Sequence, residues 1–459
     1  MFAYSLEDKK EQSVFLDSIK EDYLYNFSWA LNRPIIGPHM LQLLLTTKCN
    51  LQCKMCGVWR TNEEELDTHY AKKTIDDAYK MGNLREVYFT GGEALLRADI
   101  FNLIKYVKDF YPDIWITINT NGTLLTKKII DKLIDVRLCA LGISVDSPLS
   151  EIHNALRGEK VLERVIEAID YLNNEKKRRG AQYPLLDTCS VLMDQTLDTM
   201  PAMVDFCIKY NFSGFHIQPY VCNSDLRGQR EDKFWIKNER LPLLRDTLEK
   251  IERRKKDIPR LHIEVPVEKI YKYFSEPIYV DKCYAGFTRA LVVGKKINFV
   301  CNGPNNEKYQ HFGMADKDSI DEVLYSENAD LFRRTIRACK RNCVQFCSIR
   351  PSSDSTADIH RRLVAQNNLF LVFRELHFLE ENMLKYPSLP LKELIDSDYE
   401  LITRNLDSFL RIIDTLEPNA CSAGLKRCLA EDIKLVDIYL KKIGDERRAL
   451  SSLKGVLPV

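Results

Sequence analysis

The stretch Met40-Leu-Gln-Leu-Leu-Leu45-Thr-Thr-Lys-Cys49-Asn-Leu-Gln-Cys53-Lys-Met-Cys56 decides how this chain is read. Met40–Leu45 is an apolar run of strand length. The loop behind it carries three cysteines spaced C-x3-C-x2-C, and a charged helical segment follows at about Glu64–Met81. The same succession then repeats. Glu86–Phe89 is the next strand and Ile100–Phe110 the next helix, followed by Ile114–Ile118 and Leu125–Ile134, then Leu138–Val145. Val161, Val165, Ile166, Ile169 and Leu172 fall at helical spacing. Leu185–Met193, Thr199–Tyr210 and Phe215–Ile217 complete the series. Six strand-then-helix alternations imply a parallel sheet with helices outside, either open or curled into a barrel. Such folds carry their chemistry in the loops beyond the C-terminal ends of the strands. The three cysteines stand in one of those loops.

Composition narrows the setting. The chain has 459 residues with 67 basic and 66 acidic side chains, a net charge of +1 that argues against a dominant polyanion-binding surface. A hydrophobic share of 45% allows a sizeable core, and the length corresponds to about two to four structural units. No stretch approaches the roughly 18 apolar residues of a membrane span. The N-terminus is charged where a signal peptide needs apolar residues, so the expected location is cytoplasmic and the fourteen cysteines are expected as ligands or buried thiols rather than disulfides. The basic clusters Lys176–Arg179 and Arg253–Lys256 end helical segments, where cations favour the helix dipole.

Three thiolates can surround one centre. A structural zinc site closes with four protein ligands, and no fourth cysteine or histidine lies nearby. Iron–sulfur clusters are commonly held by four thiolates, so three would leave one iron open. A zinc site completed from elsewhere in the chain is the alternative.

With this motif after the first strand, the sequence resembles the radical S-adenosylmethionine (SAM) superfamily. The resemblance implies a partial (β/α)6 TIM-like barrel and a 4Fe–4S cluster on Cys49, Cys53 and Cys56 whose open iron binds SAM. One electron then cleaves SAM to methionine and a 5′-deoxyadenosyl radical that abstracts hydrogen from a substrate. Other segments agree with the family's order. Gly91-Gly92-Glu93 follows the second strand, where the family's GGE meets the SAM amino group. Thr120-Asn121-Gly122 follows the third, and Ser144-Val145-Asp146 ends the fourth. His153-Asn-Ala-Leu-Arg157-Gly158 comes next, and in related members this arginine neutralises the SAM carboxylate. Gln218-Pro219 ends the sixth strand and lines the adenosine side. Met55 stands where the family often has an aromatic residue, and Ala94 where proline commonly follows GGE.

Residues 283–350 hold five more cysteines: Cys283, Cys301, Cys339, Cys343 and Cys347. A hairpin (Ala290–Val293, Ile297–Val300) lies between the first two, and a short helix, about Ala329–Ala338, precedes the last three. This resembles the SPASM/Twitch extensions of radical SAM enzymes and implies one auxiliary 4Fe–4S cluster drawn from the five. A zinc-stabilised module is the alternative. Cys139, Cys189 and Cys207 read as buried small hydrophobes. Cys222 faces the cavity in this reading, and Cys421 and Cys428 lie on the tail.

The expected architecture is thus α/β: a helical lead-in (1–38), a radical SAM partial barrel (39–240), a small α+β iron–sulfur extension (241–355) and an α-helical C-terminal region (356–459) without a legible role. The leading expectation is oxidative modification or maturation of a peptide or protein. Dehydrogenation of a small polar metabolite such as a sugar or cyclitol is the alternative, and a non-catalytic scaffold or electron carrier the second. An electron donor such as flavodoxin or ferredoxin is the implied partner; nucleic acid and membrane are not.

Overall fold

The computed structural model describes residues 36–221, 232–255, 257–258, 260–276, 283–299 and 312–339, together with 25, 28–29 and 32–34. The few described residues before 35 belong to a separate compact unit from the rest. The expected helical C-terminal region and most of the lead-in lie outside the described residues, as do Cys222, Cys301, Cys343, Cys347, Cys421 and Cys428.

The strands are β1 (Met40–Leu44), β2 (Glu86–Thr90), β3 (Trp115–Thr120), β4 (Ala140–Ser144), β5 (Leu185–Leu192), β6 (Gly214–Pro219), β7 (His262–Glu264), β8 (Arg289–Val293), β9 (Lys296–Asn298) and β10 (Gly313–Met314). They form one sheet in the order β10-β9-β8-β1-β2-β3-β4-β5-β6-β7. From β8 through β7 every pairing is parallel, and only β8–β9 and β9–β10 are antiparallel. The helices are α1 (Thr68–Lys80), α2 (Ile100–Phe110), α3 (Lys127–Asp135), α4 (Ser150–Arg157), α5 (Val161–Arg179), α6 (Ala202–Lys209), α7 (Leu241–Lys255), α8 (Val267–Ser275), α9 (Ile320–Leu324) and α10 (Glu327–Arg337). The fold is therefore α/β, and the barrel is not closed.

Local chemistry sets the boundaries. Asp67, Thr126, Ser319 and Ser326 cap the helices they precede by accepting a backbone N–H of the first turn, and Ser319 with Glu322 completes a capping box. α5 runs seven residues beyond the apolar stripe that predicted it and stops at left-handed Gly180. Its basic end is more than a solvated terminus, because Arg179 pairs with Asp131 and Asp135 of α3 and with Glu175.

Two features differ from the sequence expectation. The alternation does not end near Leu241: α7, the three-residue β7 and α8 prolong it. A strand of three residues is too short to leave a periodic signal. The hairpin β8–β9 also does not stand apart, since β8 lies parallel to β1 with Leu41 opposite Ala290 and Leu43 opposite Val292. Long-range pairing of that kind has no local sequence signature.

Side-chain alternation gives the sheet two faces. Leu41, Leu43, Val87, Phe89, Ile116, Ile118, Leu141 and Ile143 are buried in the main apolar core with the helices. The opposite face is only partly covered and largely polar; it carries Gln42, Glu86, Tyr88, Asn119, Asp187, Cys189, His216 and Glu264. Tyr88 of β2 and Cys189 of β5, three strands apart, nonetheless lie within electrostatic reach. The sheet is therefore curled around its polar face.

Candidate functional site

The cysteine loop emerges from β1 and is laced to the loop after β2. The N–H of Leu45 donates to Thr90 O (3.0 Å), that of Gly92 to Thr46 O (2.8 Å) and that of Glu93 to Lys48 O (2.9 Å). This approach requires glycine. A Cβ on Gly91 would stand 2.4 Å from Thr46 O, and one on Gly92 would stand 2.3 Å from Lys48 O and 2.6 Å from Thr47 O. All of these obstacles are backbone, so neither can swing aside. Gly92→Ala is expected to shift the cysteine loop and destabilise the fold by about 2 kcal/mol or more; denaturant unfolding, paired with iron content after reconstitution, measures both effects.

Glu93 is buried. Its Oε1 accepts from Leu95 N (3.1 Å) and Thr120 Oγ1 (2.8 Å), and its Oε2 accepts from Asn121 N (2.8 Å). Burial raises its carboxyl above the usual range, opposed by those donors. The carboxylate thus ties the β2 loop to the β3 loop, and what this segment offers a ligand is its backbone. Asn121 continues the network. Its Nδ2 donates to Asn50 Oδ1 (2.9 Å) and faces Cys49 Sγ (3.8 Å), while its Oδ1 accepts from Thr123 N (2.9 Å). Asn121 therefore positions the cysteine loop.

Cys53 is buried, and Cys49 and Cys56 are partly exposed. Burial pushes the Cys53 thiol up to about 11, with Arg157 opposing the shift and the other two cysteines adding to it. Cys49 is likewise raised, by burial first and by Glu93 and Cys56 further down. The three thiols thus feel one another. Three thiols on one loop, with no fourth cysteine or histidine beside them in the sequence, form the donor set of a 4Fe–4S cluster with one open iron, whereas a closed structural zinc site takes four protein ligands.

Across the opening, Asp146 and Arg157 form a buried pair. Arg157 Nε donates to Asp146 Oδ2 (2.6 Å) and Nη2 to Oδ1 (3.0 Å), and Oδ1 also accepts from Val191 N (3.0 Å). The Arg157 side chain is 10% exposed and that of Asp146 fully buried. The helix α4, absent from the sequence reading, brings Arg157 here; its peptide oxygen faces Cys53 Sγ (3.9 Å). His153, one turn earlier, accepts the Asp146 N–H at Nδ1 (3.2 Å), and burial pushes its imidazole down to about 4. The side chain of Asp146 is thus fully occupied by protein, whereas Arg157 keeps Nη1 outside the pair.

Ser144, last in β4, lies on the inner face opposite Cys189 of β5. Gln218 of β6 is also on that face and donates from Nε2 to Pro219 O (3.1 Å). Met55 packs at the edge of a small apolar cluster of Leu156, Met193, Tyr220 and Phe234. Cys139 and Cys207 are buried as expected, but Cys189 is partly exposed toward the interior. The strict in–out alternation of β5 was the signal that would have found it.

The extension is represented by Cys283 and Cys339. Cys283 Sγ accepts from Ala285 N (3.5 Å), and the turn after it is held by α10 through Arg333 Nη1 to Gly286 O (3.1 Å). Cys339 follows α10 directly. The other three cysteines expected to complete an auxiliary centre, Cys301, Cys343 and Cys347, lie outside the described residues.

With this geometry in place, comparison with known proteins is informative. Residues 43–207 match the family model of the Radical SAM superfamily. An AdoMet-dependent heme synthase of Oleidesulfovibrio alaskensis is 29% identical over 180 residues, 38% of this chain and 43% of its own length. A GTP 3′,8-cyclase of Sulfurimonas denitrificans is 32% identical over 139 residues, 28% of this chain and 41% of its own. The chain spans less than half the length of these curated relatives. Among solved structures, Streptococcus suis SuiB bound to S-adenosylmethionine superposes with a TM-score of 0.52 at 18% identity, covering 65% of this chain and 68% of that one. The enzyme anSMEcpe with bound AdoMet and Cp18Cys peptide gives 0.52 at 15%, covering 68% and 88%. At such identities the likeness speaks to the fold alone. Residues 43–207 thus carry a radical SAM domain, and the sheet around them has the fold of a partial barrel. Among the described residues no helix is long and apolar enough to cross a membrane.

Proposed function

We propose that this chain is a radical SAM enzyme that modifies a peptide or protein oxidatively. The observation that carries the reading is the set of Cys49, Cys53 and Cys56 on the loop after β1, braced by the Gly91–Glu93 backbone. When bound there, a 4Fe–4S cluster and SAM supply a 5′-deoxyadenosyl radical that abstracts hydrogen from the substrate. The residues of the chain have distinct parts in this. The three cysteines ligate the cluster, and the peptide groups of Gly91–Glu93 face the SAM amino group. Arg157, oriented by Asp146, holds the SAM carboxylate with its remaining Nη1, a geometry that suits a guanidinium. Asn121 and Glu93 keep the cysteine loop in register. Ser144 and Gln218 line the adenosine side, where Met55 and the adjoining Tyr220 and Phe234 offer an apolar wall.

Peptide or protein as substrate is favoured by the fold neighbours: SuiB is described bound to precursor peptide SuiA, and anSMEcpe with the Cp18Cys peptide. The curated relatives, heme synthases and GTP cyclases, keep a small polar metabolite as the second reading. A non-catalytic scaffold or electron carrier is the third. An auxiliary 4Fe–4S cluster drawn from Cys283, Cys301, Cys339, Cys343 and Cys347 completes the proposal, with flavodoxin or ferredoxin as electron donor. Anaerobic reconstitution tests it. Reduction in the presence of SAM should yield 5′-deoxyadenosine, which a scaffold would not produce. Iron near about eight per chain fits two clusters, whereas about four leaves the extension to zinc or to no metal.

A further inference from the structure

The cysteine loop has a solvent-facing side that the SAM site does not use. From Thr47 through Asn62 the sequence carries three cations, Lys48, Lys54 and Arg60, and no carboxylate. All three side chains are exposed. The three carboxylates that follow are each matched by a lysine: Glu63 pairs with Lys296 (2.8 Å), Glu64 with Lys295 (2.9 Å) and Glu65 with Lys48 (3.1 Å). Lys54 and Arg60 pair with no carboxylate among the described residues. The loop therefore presents uncompensated positive charge to solvent.

Trp59 joins these two cations into one surface. Its Nε1 donates to Cys53 O (3.3 Å), the carbonyl of the peptide that leads into Lys54. The Arg60 guanidinium lies 4.9 Å from the centroid of its ring, within the range of a cation–π contact. A single 3₁₀ turn over Val58–Arg60 carries both side chains, and the indole is partly exposed. Cys49 and Cys56 of the same loop are also partly exposed. Tryptophan and arginine are the side chains that most often anchor protein–protein contacts, and surrounding charge selects and steers the partner. The bond from Trp59 to the Cys53 peptide ties such an anchor directly to a cluster ligand.

We infer that Lys54, Trp59 and Arg60 form the docking surface for an acidic, flavin-carrying electron-transfer protein. The inference rests on the function proposed above for the need of one electron at this loop, and it adds where the donor binds. Unpaired positive charge attracts an acidic carrier. The exposed indole meets the aromatic edge that a flavin carrier presents at its surface, a contact that an iron–sulfur carrier lacks. In the transfer step the docked carrier is oxidised by one electron, which passes to the cluster held by the same loop; no bond forms or breaks.

Calorimetric titration of the full chain with oxidised flavodoxin tests this surface without turnover. Binding is expected at low ionic strength and should weaken at least about tenfold between about 0.05 M and about 0.3 M salt. Lys54→Glu combined with Arg60→Glu should weaken it by a similar factor at low salt. Each single reversal, on an exposed side chain, should weaken it about threefold, so the surface is tested even if the double variant folds poorly. Lys250→Glu, an exposed lysine of α7 outside the surface, should leave binding unaltered. In turnover the double reversal should raise the KM for flavodoxin and leave dithionite-driven 5′-deoxyadenosine formation unchanged. Flavodoxin binding that survives the reversals, no binding at low salt, or tighter binding of a ferredoxin or a single-stranded RNA would each overturn the inference. Loss of the radical reading would show separately, as absence of 5′-deoxyadenosine with dithionite, and the titration would still decide the docking.

Discussion

Replacing Cys49, Cys53 and Cys56 together by alanine is expected to reduce SAM-dependent 5′-deoxyadenosine formation to background and to remove about four iron ions per chain. Each single replacement should do nearly as much. The three thiols sit on one short loop, and that loop holds no other cysteine or histidine to take the place of a lost ligand. The measurement is iron content with product analysis after anaerobic reconstitution. Cys139→Ala and Cys207→Ala are the controls. Both thiols are buried in the core behind the sheet, and replacing them should cost about 1 kcal/mol of stability and no iron. Undiminished SAM cleavage in the triple variant would remove the basis for the cluster assignment.

Much of this site was legible in the sequence because it is local. The C-x3-C-x2-C spacing, the paired glycines after β2 and the Asp146–Arg157 spacing each lie within one loop or one loop plus a helix. What the sequence could not carry is which side chains turn inward toward ligands and which turn back on the protein. Glu93 and Asn121 read as SAM contacts, but their side chains are bound to Thr120, Asn50 and Thr123, because a loop this close-packed must satisfy its buried amides. Long-range register was equally hidden. The parallel pairing of β8 with β1 joins residues about 250 positions apart, and it places Arg289 on the inner face. Cys189 was misread for a related reason. Its neighbours in sequence are apolar or small, and only the alternation along β5 and its opposition to Ser144 and His216 put it in the cavity.

Breaking the Asp146–Arg157 pair is the second large effect expected. Arg157→Met leaves a carboxylate that is fully buried and has lost both charged donors, which should cost about 3–5 kcal/mol. Arg157→Lys should not rescue it fully, because an ammonium cannot span both oxygens as the guanidinium does. The double variant Asp146→Asn with Arg157→Met should lose less than the single arginine replacement, since no charge is left stranded. The pH dependence separates this account from simple loss of packing. Burial alone would raise the Asp146 carboxyl, but Arg157 beside it holds it below the usual range. In the intact protein the pair therefore contributes stability above the ordinary aspartate value of about 3.9 and loses it as pH falls through the lower folded value. Without Arg157 the shift reverses: burial holds the carboxyl above its unfolded value, so the penalty is greatest near neutral pH and fades as the pH falls and the group protonates. Denaturant unfolding of the intact protein and the Arg157→Met variant between neutrality and pH 4 should show the two stability curves converging. A constant gap across that range would mean that the arginine contributes through packing, and that Asp146 does not serve to aim it.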